Sequence, residues 1–332
     1  MSENHIDRLH ETDLMSCVMA TLTHDRVVAP STGTRAGFGF AVLAAASFGM
    51  SGTLASGLMD TGWSPAALVL CRITVGALVL LVPALMALRG RWHLLRANVG
   101  FLVAFGLVAV AGCQLAYFNA VDRLPVAIAI LVEYAAPVVV VGWLWARHRQ
   151  APTRLTVAGA AVAMMGLLLV LDVFSVGSVD GLGVLWALAA MLGCAFFFVV
   201  SAGDGHGLPP IVLAAGGLAV GAVTLAVAGL VGIVSMSATT ADATYRSTQV
   251  PWWLPVLGLG VVTAAVSYVA GILAARGLGA RMASFAALLE VLFAVVFAWL
   301  LLGQLPYGLQ LVGGVLVLAG VVLVKLGEPR AG

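Results

Sequence analysis

The 332 residues carry a formal net charge of only +2, with 9% charged and 62% hydrophobic side chains and a mean hydropathy of +1.11. A soluble domain carries about 25% charged residues, so this composition excludes a soluble globular protein and points to a polytopic membrane protein. The basic residues are scattered over short loops, which leaves no surface for a nucleic-acid partner.

Residues 1–34 are different material. They hold five acidic residues, three histidines and no long apolar run. A signal peptide needs a basic start and an apolar core, so this stretch reads as a disordered cytoplasmic tail. Ten apolar spans follow: Ala36–Gly57, Pro65–Leu88, Asn98–Val121, Pro125–Trp145, Leu155–Leu171, Leu182–Ser201, Pro209–Met236, Trp252–Ala275, Met282–Leu302 and Tyr307–Lys325. Each is long enough as a helix to cross, or nearly cross, a bilayer core. Short loops rich in Gly, Pro and Asp join them. The longest, Ser237 to Pro251, is polar and suggests no function. Cys17, Cys71, Cys113 and Cys194 have no metal-ligand spacing, and the last three read as buried thiols within spans.

Arginines set the predicted orientation. With the N-terminus in the cytoplasm, thirteen of the 16 Lys and Arg residues fall in inside segments, and only Arg123 and Arg246 fall outside. That bias predicts that both termini are cytoplasmic, in the cell inner membrane. Trp63, Trp92, Trp145, Trp252 and Trp253 sit near span ends, as interfacial anchors do.

The spans repeat. Gly39 and Gly49 match Gly183 and Gly193; Pro65 and Gly76 match Pro210 and Gly221; Glu133 matches Glu290; Pro152, Gly159 and Gly166 match Pro306, Gly313 and Gly320. The shared order predicts two units of five spans. An odd number makes the second unit enter the membrane from the opposite side. The expected fold class is therefore all-α integral membrane, ten transmembrane helices arranged as two inverted five-helix repeats. Such symmetry is typical of secondary transporters, whose substrate site lies near the midplane between repeats.

Charge inside a span is costly and marks a candidate site. Glu133 and Glu290 are repeat mates, each the one carboxylate of its span and each roughly 12–13 Å deep, from opposite sides. Arg72, whose mate is Gly217, lies at a depth similar to Glu133 and is its expected partner. Glu290, with no basic residue nearby, is the stronger candidate for a coupling proton; Glu133 with Arg72 would shape the substrate site. Gln114, Tyr117 and Asn119 on the third span and Thr263, Ser267 and Tyr268 on the eighth are pocket candidates, bonding either to substrate or helix to helix. Trp186 is a candidate for an apolar wall. No metal site and no cofactor is expected, and no phosphate-cradling G-x-x-x-x-G-K-[ST] loop argues for direct ATP drive.

The pieces LVEYAAPVVVVGWLW, ASFAALLEVLFAVVFAWLLLGQ and LVGGVLVLAGVVLVKL resemble the two halves of EamA-family carriers, within the drug/metabolite transporter superfamily. The resemblance implies residues 35–175 and 176–326 as two EamA-like repeats, with 1–34 and 327–332 as cytoplasmic tails. It also implies a central cavity between five-helix bundles and export of small metabolites, as in relatives that export threonine, homoserine or aromatic amino acids. The family's Glu-Pro pair stands here as Glu133-Tyr134 and Glu290-Val291. The expected activity is a non-enzymatic exporter of small metabolites such as amino acids, working by alternating access, with proton coupling or plain exchange both open. Its partners would be the substrate and membrane lipid, with a homodimer allowed. A lipophilic-cation efflux carrier is the alternative. A lipid-processing enzyme lacks the metal cluster or nucleophile–base set it would need.

Overall fold

The computed structural model describes residues 34–173, 180–203 and 206–328. The predicted N-terminal tail, Thr34 apart, and the end of the C-terminal tail lie outside them. The chain is all-α and integral to the membrane. Its apolar helices are α1 (Thr34–Met59), α2 (Pro65–Ala87), α3 (Val99–Val121), α4 (Val126–His148), α5 (Arg154–Val170), α6 (Gly181–Ala202), α7 (Pro210–Leu230), α8 (Trp253–Ala287), α9 (Leu289–Leu302) and α10 (Gly308–Gly327), with a short helix at Trp92–Ala97 between α2 and α3. Eight are long and apolar enough to span a membrane, and α5 and α9 are shorter apolar helices. Non-helical backbone at Gly279 (φ 77°, ψ 162°) breaks α8. Residues before it make the eighth crossing, and those after it join α9 in the ninth. A positive φ of this kind suits glycine, which has no Cβ to clash.

Local chemistry starts the helices where the repeat predicts. Pro65 and its mate Pro210 occupy the first turn of α2 and α7, where the missing N–H costs nothing. Ser64, Thr153 and Asp180 cap α2, α5 and α6 by accepting backbone N–H groups. Large apolar side chains such as Leu78 (63%) and Val223 (66%) remain exposed on the outer faces, as lipid contact requires. Among the described residues one pair of strands occurs, an antiparallel hairpin of β1 (Ala243–Tyr245) and β2 (Thr248–Val250) within the long polar loop.

The inverted repeat is visible as reciprocal packing. A Cβ placed on Gly159 would stand 2.7 Å from the Gly320 carbonyl oxygen, and one on Gly166 2.6 Å from that of Gly313. Gly313 is the mate of Gly159, and Gly320 is the mate of Gly166. Helices α5 and α10 thus cross antiparallel, each pressing its glycines on the other's. A two-fold axis between them, perpendicular to both, lies in the membrane plane. The same exchange holds elsewhere: Gly106 of α3 abuts Val220 of α7, and Gly260 of α8 abuts Val75, the mate of Val220, on α2. Both glycines lie at the entry to π-helical stretches, Gly106–Gly112 in α3 and Val261–Val266 in α8. Such stretches are rare and gather at functional sites.

Candidate functional site

Both glutamates sit at breaks in their helices. Within α4, regular helix runs over Val126–Glu133 and resumes at Ala136–His148. Pro137 explains the interruption: it has no N–H to give to the carbonyl four residues back, which is that of Glu133. In the ninth crossing the break falls at Leu288, and Glu290 lies in the first turn of α9. Here no proline intervenes; helix α1 presses on the break instead, where a Cβ on Gly49 would stand 2.8 Å from the Glu290 carbonyl oxygen. Interrupted helices at mid-membrane free backbone groups where a substrate can use them.

The side chains converge. Both carboxylates are half-buried. The Cys113 thiol on α3 lies 3.5 Å from Glu133 Oε1 and 3.4 Å from the Ala190 carbonyl oxygen of α6. The Tyr134 hydroxyl lies beside the Glu290 carboxylate, within reach of its charge. The charge of Glu133 reaches Glu290, and Tyr117 and Cys194 lie in the field of both. Tyr268 is buried, packs on Phe48 (ring centroids 5.4 Å) and Phe197 (5.8 Å), and lies in the field of Arg72 and Glu133.

Arg72 is placed differently from the sequence expectation. Its Nη1 donates to Ser51 Oγ on α1 at 2.8 Å, and its guanidinium lies 6.0 Å from the Phe48 ring centroid. No carboxylate stands within ion-pair distance of it among the described residues, where the ion pairs are Arg123–Asp180 and Arg281–Glu328. The expected direct pair with Glu133 is absent because Ser51 holds the guanidinium towards α1 while Cys113 engages Glu133. Arg72 is only 8% exposed, and its Nε has no hydrogen-bond partner among the described residues. Its charge still reaches both Glu133 and Glu290.

The remaining candidates divide. Thr263 Oγ1 donates to the Leu259 carbonyl (2.8 Å), Ser267 Oγ to that of Thr263 (2.6 Å) and Asn119 Nδ2 to that of Leu115 (2.8 Å). These three satisfy their own helices. Gln114 is half-buried one residue past Cys113. Trp186 shares the exposed apolar stripe of α6 with Leu182 and Leu185 and stands outside the cluster. Tyr134, Cys113, Cys194 and Ser51 belong to the cluster, although the sequence reading took the two cysteines for buried thiols and gave Tyr134 and Ser51 no role. Only the adjacency of Tyr134 to Glu133, and of Cys113 to Gln114, hinted at them.

The cluster therefore sets one guanidinium and two carboxylates, unpaired with each other, among tyrosines and thiols between the two repeats. The model of the EamA-like transporter family matches residues 35–172 and again 181–326. None of the curated proteins compared with the chain matches it. The fold is similar to that of a solved structure titled "Crystal structure of protein", with a TM-score of 0.71 and 22% identity over 90% of this chain and 99% of that one.

Proposed function

This chain belongs to the EamA-like transporter family, and we propose that it exports small zwitterionic metabolites, amino acids above all, by alternating access. The observation that carries this reading is Arg72: a buried guanidinium with a free Nε and no ion-pair partner among the described residues, whose charge reaches two carboxylates. An unpaired buried cation is costly, and a substrate carboxylate would satisfy it. Glu290 would take the substrate ammonium, with Glu133 beside it as the proton carrier. The tyrosines offer hydroxyl donors and apolar faces for a side chain between them.

The arginine bias favours a place in the cell membrane with both termini inside. Cysteine at the exposed hairpin position Thr244 should then react with an impermeant maleimide in intact cells, and cysteine at the exposed position His93 should not. The inverted repeat supports a site presented alternately to the two sides, and the carboxylates supply groups that could carry a coupling proton.

The test is transport in reconstituted vesicles, with an amino-acid panel set against a lipophilic cationic dye. Saturable amino-acid flux lost in Arg72→Ala supports the proposal. Dye flux that survives Arg72→Ala, with no amino-acid flux in the unaltered protein, would favour the efflux alternative.

A further inference from the structure

A pocket lined by none of the cluster residues lies at the end of the bundle that carries the hairpin. Its volume is about 680 Å³, within the ~300–1,000 Å³ usual for ligand sites. Met50 and Leu54 of α1, Leu254 and Leu257 of α8, and Leu300 and Leu301 of α9 form its walls. Leu254, Leu257 and Leu300 are 49%, 43% and 50% exposed, so the pocket is an apolar recess open at the surface of the bundle.

Its mouth is charged. Arg246 and Ser247 form the two-residue turn between β1 and β2, with Tyr245 opposite Thr248. Two-residue hairpin turns favour Gly, Asn or Asp where φ is positive. Here an arginine adopts φ 55°, at a cost that the surrounding structure must offset. The conformation directs its side chain to the last turn of α9, where Nη2 donates to the Trp299 carbonyl at 3.4 Å and Nε lies near Gly303. Among the described residues no carboxylate stands within ion-pair distance of Arg246. The guanidinium fork retains donors, because the carbonyl contact occupies one of five.

The level is also marked. Trp253 (48% exposed) and Trp299 (45%) stand beside the pocket on α8 and α9, and exposed tryptophans at span ends sit at headgroup depth. Arg246 therefore lies at headgroup height, with the apolar recess beside it. We infer that this recess is a binding site for an anionic phospholipid, its phosphate on Arg246 and one acyl chain between α1, α8 and α9. The recess is built from both repeats, so a bound lipid would couple α1 to α8 and α9 at the hairpin end.

Native mass spectrometry of the full chain, in detergent with equal dioleoyl-phosphatidylglycerol and dioleoyl-phosphatidylcholine, tests this. The unaltered protein should retain the anionic lipid preferentially. Arg246→Gln should reduce that preference about fivefold, the worth of one arginine at a membrane surface, while Arg246→Lys should keep most of it. Leu257→Trp, at an exposed position, should fill the recess and release the lipid with Arg246 intact. It carries the test even if Arg246→Gln fails to fold. Equal retention of both lipids by the unaltered protein would overturn the inference, as would unchanged retention in Leu257→Trp. So would binding of inorganic phosphate as tight as that of the anionic lipid, which would show an anion contact that no acyl chain strengthens. A lower melting temperature in Arg246→Gln with lipid preference intact would reduce Arg246 to a cap on α9.

Discussion

Tyr134 of the first repeat stands beside Glu290 of the second, although its neighbour in sequence, Glu133, is the repeat mate of Glu290. The α4 break produces this crossing-over. It turns Glu133 towards Cys113 of α3 and leaves the next residue to reach across the pseudo-two-fold axis. The contact ties the halves together at the point where a carrier must let them move.

Tyr134→Phe removes the hydroxyl and keeps the ring. A hydrogen bond to an ionisable group contributes about 1.5–3 kcal/mol, so the loss should be roughly tenfold or more in transport efficiency. The pH profile of transport should shift with it, because Glu290 loses its polar neighbour, and the melting temperature should fall by a few degrees at most. Vesicle transport over a pH series reads both. An unshifted profile with normal flux would place Tyr134 outside the working site.

The reciprocal glycines predict a symmetric cost. Gly159→Ala puts a Cβ 2.7 Å from the Gly320 carbonyl oxygen, and Gly313→Ala, its repeat mate, puts one 2.7 Å from that of Gly166. Neither backbone can yield without parting α5 from α10. Overpacking of this kind costs about 1–3 kcal/mol, and the two variants should lose melting temperature equally. A large loss in one and none in the other would break the pseudo-symmetry at this seam.

How much could be read without coordinates follows from what each signal depends on. Hydropathy and spaced Gly and Pro are properties of single segments, so the ten crossings and the repeat were legible. The break at Gly279 replaces a loop with a single residue, too short for a turn signal. Distances between helices are not written in any one segment. Arg72 and Glu133 share a depth, yet Ser51, a residue with no sequence signal, sits closer to the guanidinium. Thr263 and Ser267 look like site polarity in sequence, but their hydroxyls bond one helical turn back. Trp186 could only be placed once the exposed side of α6 was known.

The hairpin carries a pH signature outside the membrane spans. The Tyr245 hydroxyl donates to the Leu54 carbonyl at 2.6 Å. Burial first, and then the nearby Asp60 charge, push its phenol from the ordinary 10.0 up to about 12. The folded value is raised, so the stability this contact contributes is complete below pH 10 and is lost as pH rises through about 12. Trp63, whose Nε1 donates to the Thr239 carbonyl of the same loop, should report the loosening by fluorescence. Tyr245→Phe should abolish that step and cost about 1 kcal/mol at neutral pH. Persistence of the step in Tyr245→Phe would assign it to another group.

The sharpest prediction divides the two glutamates. Sequence position alone favours Glu290 for the proton, because no basic residue shares its depth. The geometry reverses that argument. Glu290 lies in the first turn of α9, where the helix dipole favours negative charge, and the Tyr134 hydroxyl stands beside it. Glu133 closes the first half of α4, where the dipole opposes negative charge, and its neighbour is the Cys113 thiol, a weak donor. Arg72 does not separate them, since its charge reaches both. Glu133 is therefore the better proton carrier, and Glu290 the better fixed anion for a substrate ammonium. Glu133→Gln should leave substrate binding within a few-fold of the parent and flatten the pH dependence of transport. Glu290→Gln should weaken binding by about tenfold or more, the loss of a charge-assisted contact, and keep the pH dependence of the flux that remains. Binding and transport measured over one pH series in the same vesicles decide between the two assignments: a flattened profile in Glu290→Gln with an unchanged one in Glu133→Gln would return the proton to Glu290.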